Sequence, residues 1–215
     1  MNRLALARAV CEVGRKLAAR GLISGGEGNI GVRLDGGRVL VTPKGRAKGE
    51  LAPDDLIEVD LEGRVLRGAG RPSSELLMHL TVLRARPDVV AVVHAHPPVA
   101  TGFATAGVSV DCDCIPEMLA TVGRVPVVPY GMTGTGELSE RLAPYLAGHD
   151  ALLLANHGAV TMGGTLEQAH HRMESLEQGA RILLVARLLG GPARLGPEDV
   201  ARLEALRETF RGRQP

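Results

Sequence analysis

The run VVAVVHAHPP, residues 89 to 98, ends a strongly apolar segment with two imidazoles, His94 and His96. If the segment is a strand, side chains at i and i+2 share a face, so one metal ion could accept a nitrogen from each ring. The same spacing also suits a structural pair that only hydrogen-bonds to backbone. A second apolar run, LLLANHGAV, reaches His157 at a glycine bend. Two buried strands that deliver His94, His96 and His157 would supply three nitrogen ligands, the count of an open catalytic zinc site. His79, His149, His170 and His171 stand in helical or loop segments beside charged residues and are expected at the solvated surface.

Glu75 follows Ser73 and Ser74 at an expected helix start. A carboxylate there is favoured by the free amides and the helix dipole, by up to about 1 kcal/mol. The serine hydroxyls and backbone donors of that turn also make a ready anion site. An anion and an acid share such a place when the acid has another partner, such as a metal or a substrate C–H. Two glycine-bearing loops, SGGEGN (24–29) and TPKGRAKG (42–49), match neither the dinucleotide nor the Walker spacing. They are either plain turns or sources of backbone amides.

The elements that must position these groups follow from periodicity. Residues 3 to 20 read as an amphipathic helix stopped by Gly21. Asp35 and Gly36 turn a hairpin between strands 29–33 and 38–42, and LIEVDLEGRVL repeats the pattern. A helix over 74–85 leads to the strand 89–94, followed by helices over 97–106 and 116–122 and a short edge strand in RVPVVPY. A helix over 137–146, two strands either side of His157, a long helix over 166–189 capped by Thr165 with Gln168, and a last helix over 197–210 complete the order. Hairpins mixed with helices predict an antiparallel or mixed sheet between helical layers.

A chain of 215 residues, with no linker or repeat, is expected to form one domain over 1–215. A net charge of +1 gives no footprint for nucleic acid or an anionic membrane. Charges throughout the first 21 residues exclude a signal peptide or membrane span there, so a cytoplasmic location is expected. Three cysteines, Cys11, Cys112 and Cys114, are an odd number, two of them too close in sequence for an ordinary disulfide framework, and are expected as core rather than a metal site. Asparagine occurs only at positions 2, 29 and 156, so Asn29 and Asn156 are expected to carry specific roles.

In order, GEGNIGVR, VLVTPKG, RPSSE, VVHAHPP, VPVVPYGMTGTGELSE and LLLANHGAVTMGGTLEQA resemble the motif series of the class II aldolase/adducin family, from about residue 3 to 190. The resemblance implies a three-layer α/β/α fold with a central, mostly antiparallel sheet and a C4 homotetramer with active sites between subunits. It implies Zn2+ or another divalent transition metal on His94, His96, His157 and Glu75, with Glu75 also the catalytic base. It implies a substrate phosphate on Asn29, Gly45, Ser73 and Ser74, with Gly28 and Thr42 nearby. The reaction implied is reversible aldol cleavage of a short phosphorylated ketose, of the L-fuculose 1-phosphate type, to dihydroxyacetone phosphate and an aldehyde. Epimerisation of a pentulose phosphate, decarboxylation of a hydroxy acid and a non-enzymatic adducin-like module are the other activities the family holds. The sequence departs from the pattern at Glu117, near where a tyrosine acid is expected, and at Phe210, roughly where a second tyrosine is expected. The acid is then Glu117 or Tyr130. Lys44 stands where a neutral residue is usual, as a contact to a further anionic group or as a solvated cation.

Overall fold

The computed structural model describes residues 2–110 and 112–212, the side chains of 210–212 excepted, so Asp111 and the Phe210 side chain lie outside the described residues. The chain runs α1 (Arg3–Ala19), β1 (Asn29–Leu34), β2 (Arg38–Val41), β3 (Ile57–Asp60), β4 (Val65–Arg67), α2 (Leu76–Ala85), β5 (Ala91–Ala95) and α3 (Pro98–Thr105). It continues α4 (Pro116–Thr121), β6 (Val127–Val128), α5 (Gly136–Leu142), β7 (Ala151–Leu154), β8 (Gly158–Gly163), α6 (Leu166–Leu188) and α7 (Pro197–Gly212). The strands form one sheet in the order β4-β3-β2-β1-β5-β8-β7-β6. All neighbours are antiparallel except β6 and β7.

Helices cover both faces, which gives the three layers expected. Strand alternation sends Ala91, Val93 and Ala95 of β5 into a core shared with α1, α3, α4 and α6. Val92 goes the other way, into a second core beneath α2 and α5. Parity therefore puts His94 on the α2 side. Register pairs His94 with Asn29 on β1 and with Val160 on β8, so these two strands flank the histidine.

Local chemistry sets the element ends. The Thr165 hydroxyl accepts from the Gln168 amide at 3.1 Å, while Gln168 itself accepts from Gly164 rather than closing the expected box onto Thr165. The helix expected over 137–146 ends at Leu142, where Pro144 tightens the chain into a 3-10 turn. The helix expected from residue 74 begins at Leu76, with Glu75 as its N-cap. Cys11 and Cys112 are buried and Cys114 packs partly buried against the first core.

A buried charge cluster ties the far side of the molecule. Asp150, before β7, meets Arg86 at 3.0 Å, Arg207 at 2.8 Å and Arg172 at 3.2 Å. Those arginines come from the end of α2, from α7 and from α6, so one carboxylate holds three helices to the sheet. Among the described residues no helix is long and apolar enough to cross a membrane.

Candidate metal centre

The β5 and β7–β8 strands deliver three imidazoles to one point. Asn156, with φ +57°, makes the bend between β7 and β8, a left-handed conformation that asparagine tolerates better than most residues. His157 follows in the bend. Gly158 then passes so close to β5 that a Cβ there would lie 2.6 Å from both the Ala95 carbonyl oxygen and His96 Cδ2. Only glycine lets the bend approach the histidines. Gly28, with φ +67°, does the same on the other side, where a Cβ would meet the His94 carbonyl oxygen at 2.9 Å.

His94 Nε2 and His96 Nε2 are 3.1 Å apart, and candidate ligand atoms of His94, His96 and His157 lie within 4.8 Å of one another. Glu75, from the α2 N-cap, places Oε2 3.1 Å from His94 Nε2 and Oε1 3.1 Å from His157 Nε2. His94 donates its Nδ1–H to the Ala159 carbonyl at 2.9 Å, which leaves the Nε2 lone pair facing the cluster. Glu75 Oε1 and His157 Nδ1 are buried without a hydrogen-bond partner among the described residues. Three imidazoles and a carboxylate, with Nε2 atoms converging and a buried carboxylate oxygen unsatisfied, make a donor set that fits a divalent transition metal.

The electrostatics agree with that donor set. Burial would raise the Glu75 carboxyl, but His94, His157 and the Asn29 hydrogen bond outweigh it and hold the acid well below the usual carboxylate range. Burial and the neighbouring His94 push His157 down to about 4. The same two causes lower His96. Lowered His96 and His157 beside an ionised Glu75 favour the protonation states in which those groups ligate a metal.

A buried relay stands behind the acid. His79 is 1% exposed, not solvated as its neighbours in sequence implied, because it lies on the α2 face turned to the sheet. It packs over Gly31, where no side chain intervenes. Burial lowers His79 to about 3, so it is neutral and donates Nε2–H to Asn29 Oδ1. Asn29 Nδ2 in turn donates to Glu75 Oε2 at 2.7 Å. His79 is one helical turn after Glu75, an i,i+4 spacing that marks the pair in the sequence. His170 is likewise buried, at 3%, on the α6 face that meets the core, whereas His149 is half-buried and His171 exposed.

Three loops meet beside the cluster. The Lys44 amide donates to the Arg71 carbonyl at 2.9 Å, and Pro43 bridges Pro72, so the TPKG loop lies along the PSS segment. Gly26 approaches Gly45, whose carbonyl carbon would be 3.8 Å from a Cβ at Gly26. Ser73 Oγ accepts from the Glu75 amide at 3.2 Å, and Ser74 is exposed. Thr42 is buried, and its hydroxyl accepts from the Ile30 amide at 3.1 Å. Asn29 and Ser73 thus bond Glu75 directly, and Gly45 belongs to the loop that runs along the segment before it. Glu117 and Tyr130 do not join them: both are exposed, and neither has a hydrogen bond or ion pair to the cluster in this chain. Glu117 instead lines a cavity of about 680 Å³ with Arg20, Glu174 and Arg181.

Comparison with known proteins gives concordant results. Residues 8–184 match the model of the Class II Aldolase and Adducin N-terminal domain. The chain is 36% identical over 186 residues to 3-oxo-tetronate 4-phosphate decarboxylase of Haemophilus influenzae, covering 85% of this chain and 88% of that one. It is 34% identical over 201 residues to 5-deoxy-D-ribulose 1-phosphate aldolase of Bacillus thuringiensis, covering 93% and 92%. The crystal structure of L-fuculose-1-phosphate aldolase from Thermus thermophilus superposes with a TM-score of 0.77 at 38% identity, covering 90% of this chain and all of that one.

Proposed function

Because the chain belongs to the class II aldolase and adducin family, we propose that it is a metal-dependent carbon–carbon lyase that releases dihydroxyacetone phosphate from a short phosphorylated ketose. The observation that carries this is the convergence of His94, His96, His157 and Glu75 beside the Gly26, Gly45 and Ser73 loops. A divalent cation, zinc among those suited to such donors, would supply Lewis-acid polarisation of the ketone oxygen. Everything else is assigned to the chain's own groups.

The chemistry of the relatives' substrates narrows the step. In a ketose 1-phosphate, cleavage between C3 and C4 leaves its electron pair on C3, as the enediolate of dihydroxyacetone phosphate, and C4 departs as an aldehyde. A proton delivered to C3 completes the product. Glu75, ionised in the resting site and held by Asn29, is the group we assign to hold and return that proton. The amides and hydroxyls of the loops at Gly28, Asn29, Gly45, Ser73 and Ser74 would receive the phosphate. The aldehyde oxygen needs a separate proton partner, Glu117 or Tyr130. Both are exposed, which accords with a role across a subunit boundary in a C4 homotetramer. A cytoplasmic location belongs to the same proposal.

Decarboxylation is a second reading, favoured by the resemblance to the 3-oxo-tetronate 4-phosphate enzyme and by the missing tyrosine. Loss of the carboxyl as carbon dioxide from a 3-oxo acid leaves the electron pair on C2 and gives the same enediolate, hence the same dihydroxyacetone phosphate. No aldehyde oxygen has to be served. The two are separated by incubating the protein with 5-deoxyribulose 1-phosphate, L-fuculose 1-phosphate or 3-oxo-tetronate 4-phosphate and assaying both dihydroxyacetone phosphate and aldehyde. Product with stoichiometric aldehyde supports the aldolase, product from the oxo acid without aldehyde supports the decarboxylase, and no product from any of the three contradicts the proposal.

A further inference from the structure

Lys48 is 2% exposed, an unusual burial for a lysine without a carboxylate bound to it. Its backbone is fixed by α1: a Cβ on Gly14 would lie 2.2 Å from the Lys48 carbonyl oxygen, so the helix rests directly on the residue. The side chain reaches inward. Nζ donates to the Gly26 carbonyl at 2.5 Å and to the Arg46 carbonyl at 2.8 Å. Those two acceptors belong to different glycine loops, the ones that touch at Gly26 and Gly45. An ammonium has three N–H donors, and among the described residues these two carbonyls are the acceptors it has.

We propose that Lys48 is a positioning residue for the anionic end of the substrate, holding the Gly26 and Arg46 loops at the spacing that receives a phosphate and lending that site its charge. This rests on the reading above that the substrate carries a phosphate. Three features point there. A cation placed between two carbonyls closes two loops that would otherwise present like dipoles to each other. The Lys48 charge is buried and bonded to the carbonyl of Arg46, the residue after Gly45, where its attraction for an anion is screened less than at the surface. Burial disfavours the ammonium and Glu75 favours it, so a second anion bound at these loops would reinforce the charged form.

The test compares binding of dihydroxyacetone phosphate with binding of dihydroxyacetone on zinc-loaded wild type, Lys48→Met and Lys48→Arg, by calorimetry, with metal content and Tm measured on each. Lys48→Met should keep its zinc and lose about 10- to 100-fold in affinity for the phosphate ester, a range typical of one charged hydrogen-bonding group. Affinity for dihydroxyacetone should change less than threefold, and Lys48→Arg should recover part of the loss. A general loosening of the fold would not lower one ligand's affinity and spare the other's. If Lys48→Met does not fold, Lys48→Gln, which keeps one donor without the charge, carries the same comparison. Equal phosphate-ester affinity in wild type and the neutral variant overturns the role of Lys48 alone. A wild type that binds both ligands equally overturns the phosphate reading and this proposal with it.

Discussion

Asn29 Nδ2 lies 2.7 Å from Glu75 Oε2, and the opposite end of the same amide accepts from His79. One side chain therefore orients the acid and is itself oriented by a neutral, buried imidazole. Asn29→Leu keeps the volume but removes both bonds, which leaves His79 Nε2 unpaired in the interior and takes from Glu75 Oε2 its amide donor, with His94 still beside it. We expect the variant to retain its metal, to lose about 2–3 kcal/mol of stability and to turn over at least about 10-fold more slowly. Wild-type kcat in a metal-replete Asn29→Leu protein would remove Asn29 from the machinery.

The burial of His79 sets a pH dependence of stability. Its pKa is about 3 in the folded chain against an ordinary 6.5, so above pH 6.5 it is neutral in both states and contributes nothing to the slope. Below 6.5 the unfolded chain takes up a proton that the folded chain refuses. Stability is lost at about 1.4 kcal/mol per pH unit until His79 itself protonates. Between pH 6.5 and 5 the chelated wild type should lose about 2 kcal/mol more than His79→Gln in urea titrations. His157, lowered to about 4, adds loss of the same sign in both proteins. Parallel pH curves for the two would show that His79 is not buried neutral.

Gly158→Ala tests the close approach of the bend to β5. The added methyl has the Ala95 carbonyl oxygen and His96 Cδ2 2.6 Å away, and neither can leave without moving a ligand. The fold should persist with a lowered Tm, while metal affinity in competition with a chelator should fall by about 10- to 100-fold. Unchanged affinity would mean that the imidazole positions tolerate displacement.

Asp150 meets three guanidiniums far from the proposed chemistry. Asp150→Ala leaves those buried charges without that carboxylate and should cost about 3–5 kcal/mol in chemical denaturation. Metal affinity of the protein that remains folded should be unaltered. A loss of under 1 kcal/mol would show that the cluster relaxes to water.

The largely antiparallel sheet and the meeting of His94, His96 and His157 were legible because they rest on local rules. Period-two alternation ending in His94 and His96, a glycine after His157, and Asp35-Gly36 at a hairpin each carry their own geometry. The scarcity of asparagine pointed correctly to Asn29 and Asn156, which the fold uses for a relay and a left-handed bend. His79, His170 and Lys48 were misread or passed over because charged neighbours in sequence say nothing about which helix face or loop turns inward. Their burial is decided by packing across layers, α2 on β1 for His79 and α1 on the second glycine loop for Lys48. The proton partner of the aldehyde oxygen was illegible for a different reason: one chain brings neither Glu117 nor Tyr130 to Glu75.

Product formation is proposed to depend on a metal held by His94, His96, His157 and Glu75. The decisive experiment measures dihydroxyacetone phosphate release from a phosphorylated ketose by protein as purified, after chelation, and after zinc or manganese is restored. Loss on chelation, recovery on restoration, and metal-replete but inactive Glu75→Gln are predicted. Undiminished release from protein shown by elemental analysis to hold no metal would contradict it.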